Sequence, residues 1–172
     1  MSTPALLLSL FKYKAWANLE LFAQVRKLDP ATRKDQHHVC LRLLNHVFVV
    51  DNIFAAHLSG RTHGYSATNT VETPTLEGLW QAVQALDRWY VDYVNTLAPE
   101  QFEESIEFRF TDGSMGCMTR EEILAHIATH GGYHRGAVGN ILYDADVPPP
   151  RDILTAFLHQ AEPERRSSKA TL

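Results

Sequence analysis

Three histidines in this sequence have the chemistry and the spacing for a metal site. His130 and His134 are four residues apart, so in a helix their rings project from one face, one turn apart. Both fall on an apolar line with helical spacing, and His46 falls on a second such line. The two lines are Ile123, Ile127, His130, His134, Ala137 and Ile141, and Leu43, His46, Val50 and Ile53. Such a line is typical of the core-facing side of a bundle helix.

Imidazoles at core-facing positions need partners for their ring nitrogens. A buried polar group without a partner costs roughly 1–3 kcal/mol, whereas a divalent ion binds three neutral imidazoles at about 2.0–2.1 Å. Nitrogen ligands suit zinc, nickel and similar ions. Three protein ligands also leave a coordination position open, which is typical of catalytic metal sites. The sequence therefore predicts a divalent ion, zinc or nickel, on His46, His130 and His134.

The other histidines leave two interpretations open. His126 extends the same stripe, so spacing alone could equally pair His126 with His130. The apolar line favours His130 and His134, which would make His126 either a supporting neighbour of the ligands or a partly exposed residue. His57 lies about three turns beyond His46 and is expected to be structural. The remaining histidines are expected at the surface: His37, His38, His63 and His159. A lone histidine on an apolar face is more often a hydrogen-bonded core residue than a ligand.

Four long helices are predicted to position these side chains. Apolar periodicity indicates helices from Thr3, as the cap, to Asp29, and over about 39–59, 75–97 and 119–143. Thr119 and Glu122 form a capping-box signal at the start of the last of these helices. A hairpin of residues 105–110 and 115–118 is expected before it, and a short fifth helix over 152–160. The prediction is an all-α four-helix bundle in one domain, residues 1–161, followed by a flexible tail, residues 162–172.

Composition narrows the class of protein. The chain has 172 residues, of which 45% are hydrophobic and 21% charged, and its net charge is −4. A mildly acidic chain has no overall field that attracts nucleic acid, so we expect no nucleic-acid partner. The longest apolar runs fall short of the roughly 18 residues that span a bilayer, so we expect no membrane association. Two cysteines do not make a disulfide framework, which favours a cytoplasmic location.

Several segments resemble one known family. Residues 126–136, with the sequence HIATHGGYHRG, resemble the HxxxHRG signature of the DinB family of DinB/YfiT-like metalloenzymes. Residues 11–18, FKYKAWAN, resemble the opening helix of that family, and Leu43-Leu44-Asn45-His46 resembles its second-helix element. The hairpin containing Asp112-Gly113 also fits. The resemblance spans residues 5–145, and its elements occur in the family's order.

The resemblance implies a fold, a site and partners. The fold is a four-helix bundle with up-down-down-up helix directions and a long connection between the second and third helices. The site is a histidine triad of His46, His130 and His134, and the expected assembly is a homodimer. Related families include thiol-dependent S-transferases and a mycothiol-dependent maleylpyruvate isomerase, so a low-molecular-weight thiol is an expected cosubstrate. Fold membership alone does not fix the reaction.

Three functions follow from these observations. The first is a metal-dependent transferase or isomerase that acts on a small molecule. The second is a non-catalytic metal-binding protein of the stress response, and the third is a dimeric helical interaction module with structural histidines. No catalytic base is identified, because Gly131 stands where His-Glu-x-x-His metalloproteases have glutamate. Asp51 and Asp87 are candidate carboxylates near the metal, although surface charge is the preferred interpretation. Arg135 is expected to form an ion pair or a dimer contact.

Overall fold

The structure is a computed structural model that describes residues 2–166. Four long helices dominate it: α1 (Thr3–Val25), α2 (Lys34–Leu58), α3 (Leu76–Thr96) and α4 (Arg120–Asp144). A hairpin of β1 (Ser105–Arg109) and β2 (Met115–Thr119) precedes α4, and α5 (Leu154–Ala161) follows it. Short 3-10 turns cover Pro99–Glu103 and Pro163–Arg166. The predicted all-α bundle with a small hairpin is therefore confirmed. The single-domain boundary stays a prediction, and residues 167–172 of the predicted tail lie outside the described residues.

Contacts between the helices fix their directions. Phe11 of α1 stacks on Tyr90 of α3, while Phe22 contacts Trp80, so these two helices run antiparallel. The α2–α4 pair is also antiparallel, because His46 contacts His134 and Phe54 contacts His126. In contrast, α2 and α3 run parallel, since the hydroxyls of Tyr90 and Tyr93 donate to the carbonyls of Asp51 and Leu58. This is the up-down-down-up arrangement, and it requires the long 59–75 connection.

The core has two apolar clusters, one toward each end of the bundle. The cluster near the hairpin includes Leu7, Phe11, Phe54, Tyr90 and Ile127. The cluster at the opposite end includes Phe22, Leu44, Val83, Val138 and Leu142. Between them lies a layer of buried polar residues, to which every long helix contributes: Lys14, Asn18, Asn45, Asp51, Asp87 and Arg135. The middle of this bundle is therefore charged rather than apolar.

The local sequence predicts the N-terminus of some helices better than that of others. At α4 the predicted capping box is present: the Glu122 N–H donates to Thr119 Oγ1 at 3.2 Å, and the Thr119 N–H donates to Glu122 Oε2 at 2.7 Å. At α1 the N-cap is Ser2 rather than Thr3. α2 begins at Lys34, five residues before the predicted start, so the polar stretch 34–38 is helical. Its polarity reflects a solvated first turn rather than a loop.

The hairpin packs on the bundle through one face. Its strands pair antiparallel with Phe108 opposite Gly116, and a Cβ on Gly116 would lie 2.6 Å from the Phe108 ring. Phe108 is buried against Phe54, whereas Phe110, predicted on the same side, is 45% exposed. The ladder ends at Arg109, so Phe110 already belongs to the turn.

Helix α2 is long and apolar enough, by length and composition alone, to cross a bilayer. In this structure 67% of the most apolar 18-residue window of α2 is buried inside the protein, where the helix packs against α3 and α4. The core helix of a bundle has the same composition, so its hydrophobicity is explained by packing within the chain.

Candidate metal centre

The antiparallel α2–α4 pair brings together the three histidines identified from the sequence. The ring centroids of His46, His130 and His134 lie 4.6–5.1 Å apart and meet edge to face. One ligand atom from each residue lies within 4.8 Å of the other two. His130 and His134 share one face of α4, and His46 approaches that face from α2. The antiparallel packing of α2 against α4, rather than any local motif, brings the three side chains together.

One pair of nitrogens already has the spacing of two ligands on a divalent ion. His46 Nε2 and His130 Nε2 are 3.2 Å apart. Two nitrogens bound tetrahedrally at 2.0–2.1 Å would lie about 3.3 Å from each other. His46 Nδ1–H donates to the Thr68 carbonyl oxygen at 2.7 Å, which leaves the lone pair of His46 free on Nε2. Such an outer hydrogen bond fixes both the tautomer and the ring orientation of a metal-binding histidine.

The electrostatic environment favours the neutral form of His130 and His134, which is the form that binds a metal ion. Burial, together with His134, His46, His126 and Lys14, lowers the pKa of His130 from 6.5 to about 4. Burial and His46 also lower the pKa of His134. A metal binds the deprotonated imidazole, so proton competition at these two residues is weak at neutral pH. The Nδ1 atoms of His130 and His134 are buried and have no hydrogen-bond partner among residues 2–166.

The connection between α2 and α3 closes over His46. Asn45 precedes His46 in α2, and its side-chain amide donates to Asn69 Oδ1 and, at 2.7 Å, to Thr70 Oγ1. Arg42 donates to the Thr70 carbonyl oxygen at 2.7 Å. These bonds hold the segment that supplies the Thr68 carbonyl. This support was not predicted, although an asparagine next to His46 within an apolar helix is a signal for it.

The predicted orientation of the helix faces needs correction. His130 and His134 are half-buried and do not lie at the centre of the core-facing line of α4. The fully buried line passes instead through Ile127, Gly131, Arg135, Val138 and Leu142. The histidines flank this line because the adjacent residues, Gly131 and Arg135, face the buried polar layer. At this edge of the core the histidines keep part of their surface exposed to solvent.

His126 lies beside the triad and does not belong to it. Its ring stacks on His130 at 5.3 Å between centroids and contacts the edge of Phe54 at 5.3 Å. The group of residues that could share one ion is His46, His130 and His134. Of the two pairings that spacing left open, the structure groups His130 with His134 and His46, and His126 packs against the ring of His130.

Asp51 and Asp87 are not surface charges, so that interpretation is wrong. Both are buried and pair with Lys14, whose Nζ lies 2.9 Å from Asp51 Oδ2 and 2.6 Å from Asp87 Oδ1. Asn18 Nδ2 donates to Asp87 Oδ2 at 2.8 Å. Burial alone would lower the pKa of Lys14, but the two carboxylates raise it, so Lys14 stays charged. Burial raises the pKa of Asp51 to about 6 despite Lys14.

Arg135 forms the predicted ion pair, and its partner lies within the same chain. Its Nε donates to Asp152 Oδ2 at 2.7 Å, and Tyr13 donates to the other oxygen of Asp152. Arg135 is buried, and a Cβ on Gly131 would lie 3.1 Å from its Nη1. The glycine between the two ligands therefore gives room to the Arg135 side chain. Asp152 lies just before α5, which explains why that helix begins later than predicted.

Comparison with known proteins agrees with this geometry. The model of the DinB family matches residues 1–166. A relative named Protein DinB, from Bacillus subtilis (strain 168), is 23% identical over 150 residues, which cover 79% of this chain and 84% of that protein. No solved structure gave a significant match. Because the family model covers nearly the whole chain, including the elements that carry the three histidines, this protein belongs to the DinB family.

Proposed function

We propose that this protein is a metal-dependent enzyme that holds one divalent ion, zinc or nickel, on His46, His130 and His134. The observation that carries the proposal is the convergence of three half-buried imidazoles at the edge of the core. Three ligands leave room for a further ligand on the ion. A bound divalent ion supplies Lewis acidity and favours the deprotonated form of a thiol.

The reaction class that best suits this site is transfer or isomerisation with a low-molecular-weight thiol. In a transfer, the thiolate sulfur of this cosubstrate forms a bond to an electrophilic carbon of the substrate. The leaving group departs with the bonding electron pair, and the thiol proton passes to solvent. The chain contributes the triad, the outer hydrogen bond from His46 to Thr68, and the cover formed by the 59–75 connection. We further propose a homodimer in the cytoplasm that acts on a small molecule.

The first experiment measures metal content by plasma mass spectrometry on tag-free protein and on His134→Ala. We expect about one ion per chain in the natural protein and a large loss in the variant, because two imidazoles bind far more weakly than three. The matched control is His126→Ala, which removes a neighbouring imidazole outside the triad and should keep its metal. Absence of metal from all three proteins after reconstitution would make the histidines structural and leave the interaction module as the function.

A second experiment separates an enzyme from a metal-binding protein without activity. Cobalt-substituted protein is titrated with a small thiol, and its visible absorption is recorded. A change in the cobalt bands upon thiol addition, together with metal-dependent consumption of thiol and electrophile, supports the enzyme. Bound cobalt that does not respond to thiol, with no turnover, favours the non-catalytic metal-binding protein. Size-exclusion chromatography with light scattering tests the dimer.

A further inference from the structure

A second pair of imidazoles lies at the far end of α2. His57 is in the last turn of that helix and His63 is in the connection that follows, with ring centroids 5.1 Å apart. His57 Nε2 and His63 Nδ1 are both buried and have no hydrogen-bond partner in the described part of the chain. The expectation that His63 is simply exposed is therefore wrong. Two unpaired imidazole nitrogens side by side indicate a place where polar groups lack partners.

The end of α2 brings Arg61 to the same place. Gly60 has φ 63°, a left-handed conformation that suits glycine, and the Arg61 N–H donates back to the Ala56 carbonyl at 2.8 Å. This turn reverses the chain, so that residues 61–65 run over the end of the helix. Arg61 is exposed, and its guanidinium has no ion pair or hydrogen bond among residues 2–166. It is a cation without a counter-ion beside two unpaired imidazoles.

Two cavities adjoin this turn. One, of about 600 Å³, lies between residues 61–65 and β1, and a second, of about 520 Å³, lies on the α3 side. Arg61, His63 and Tyr65 border both cavities. These volumes lie within the range of about 300–1,000 Å³ that is usual for small-molecule sites. The cavity beside β1 also has apolar walls, to which Phe108 contributes.

The charge of the cavity beside β1 favours an anion. Its described lining includes two arginines, Arg61 and Arg109, and one carboxylate, Glu107, in addition to His57 and His63. Arg109 is held by a bond from its Nη1 to the Gly113 carbonyl at 2.8 Å, which leaves Arg61 as the free cation. Guanidinium groups bind carboxylates with two parallel hydrogen bonds. The imidazole rings and aromatic side chains of the lining can contact the remaining part of an organic acid.

We infer that the cavity between residues 61–65 and β1 binds a small organic carboxylate. Arg61 pairs with the carboxylate, the rings of His57 and His63 line the same cavity, and the apolar part of the ligand lies against Tyr65 and Phe108. This site goes beyond the proposed function and does not depend on it. His57 lies eleven residues beyond His46, about 16 Å along the helix axis, so the two sites can be monitored separately.

The test is a titration of the isotopically labelled full chain with sodium benzoate, followed by two-dimensional NMR of the backbone and histidine-ring signals. We expect shifts at residues 57–65 and 107–110. Arg61→Gln should weaken benzoate binding by about tenfold, the effect of losing one charge-assisted pair. The matched control is Arg88→Gln, which removes another exposed arginine that has no described ion pair, on α3. That variant should bind benzoate as the natural protein does.

Three outcomes would overturn the inference. They are the absence of shifts at millimolar benzoate, shifts confined to the residues around His46, His130 and His134, and equal affinity in Arg61→Gln and the natural protein. His63→Asn supplies a second reading, because it removes one imidazole while leaving Arg61 in place. It should weaken binding less than Arg61→Gln does. Metal content should be the same in all these variants, so failure of this site and failure of the metal site are distinguishable.

Discussion

Two polar groups lie at the same level of the bundle, and they differ in how far the protein satisfies them. In the buried polar layer, Lys14 contacts both Asp51 and Asp87, and Asn18 donates to Asp87. The three-histidine group instead keeps buried Nδ1 atoms without described partners on His130 and His134, at the edge of the core. Because the charges of the layer pair with one another, we interpret the layer as structural. In the histidine group, His46 and His130 meet through their Nε2 atoms, and this convergence, rather than the unpaired Nδ1 atoms, supports the proposed ion.

The polar layer also contains two side-chain atoms without a hydrogen-bond partner. Asp51 Oδ1 and Arg135 Nη1 have no partner in the described part of the chain. Both residues line a cavity of about 10 Å³, which is close to the size that one water molecule needs. That volume admits no organic ligand. The two unpaired atoms of the layer therefore adjoin space for about one water molecule.

The largest expected effect comes from removing the cation of the layer. Lys14→Met leaves Asp51 and Asp87 buried without their counter-ion, which costs about 3–5 kcal/mol in comparable buried pairs. Urea unfolding should show this loss, while metal content per folded chain is retained. The control is Arg26→Met, which breaks the exposed Arg26–Glu77 pair of 2.9 Å and should cost under about 1 kcal/mol. Equal losses in the two variants would contradict a structural role for the layer.

A second change weakens the support of the metal site without touching a ligand. Asn45→Ala releases the segment that supplies the Thr68 carbonyl to His46. We expect metal affinity to fall by about 10–100-fold, as is usual for the loss of outer-shell support. Competition with a chelator measures it. Asn52→Ala is the matched control, because its side chain donates to Phe48 of the same helix at 2.8 Å and not to the connection. A similar fall in metal affinity in both variants would show that Asn45 does not support the metal site.

Acidity should destabilise the metal-free protein through the histidine group. The pKa of His130 is 6.5 in the unfolded chain and about 4 in the folded one, so between these values the unfolded chain binds more protons. Stability therefore rises with pH through this window and is lost as the pH falls. Because His130 is only half-buried, we expect roughly 1–2 kcal/mol from it rather than the full shift.

Asp51 works in the opposite direction, so the test must separate the two groups. Its pKa is raised to about 6 in the folded state, and the folded protein therefore gains stability from it as the pH falls toward 4. The pH dependence of urea unfolding is compared between the natural protein and His130→Gln, both with metal removed. The variant should lose less stability on acidification. Identical profiles would mean that His130 protonates normally in the folded state.

The smallest expected effect distinguishes the two glycines between His130 and His134. A Cβ on Gly132 would meet Arg135 Nη2 at 3.8 Å, an ordinary contact, so Gly132→Ala should stabilise the helix by about 0.5–1 kcal/mol. A Cβ on Gly131 would lie 3.1 Å from Arg135 Nη1 and 3.4 Å from Lys14 Cε. Gly131→Ala should therefore gain less or lose stability. Thermal unfolding compares the two, and a larger gain at Gly131 would contradict the close packing.

Much of the fold could be predicted from local patterns. Apolar spacing indicated the four long helices, and Thr119 with Glu122 predicted the start of α4 correctly. The start of α2 was wrong because its first turn, residues 34–38, is solvated and carries no apolar pattern. The polar layer was missed for a different reason. Lys14, Asp51 and Asp87 are residue types that usually lie at the surface. Only their pairing across three helices offsets the free-energy cost of burying their charges.

The sequence by itself determined which residues can form the histidine group. Helical periodicity places His130 above His134, and the apolar lines of the second and fourth helices place His46 where it can meet them. Tertiary structure decided the rest. The antiparallel packing of α2 on α4 brings the rings within 5.1 Å of one another and turns them to the edge of the core. The 59–75 connection, held by Arg42 and Asn45, places the Thr68 carbonyl over His46. These contacts join residues far apart in the chain, so they depend on packing that local spacing does not encode.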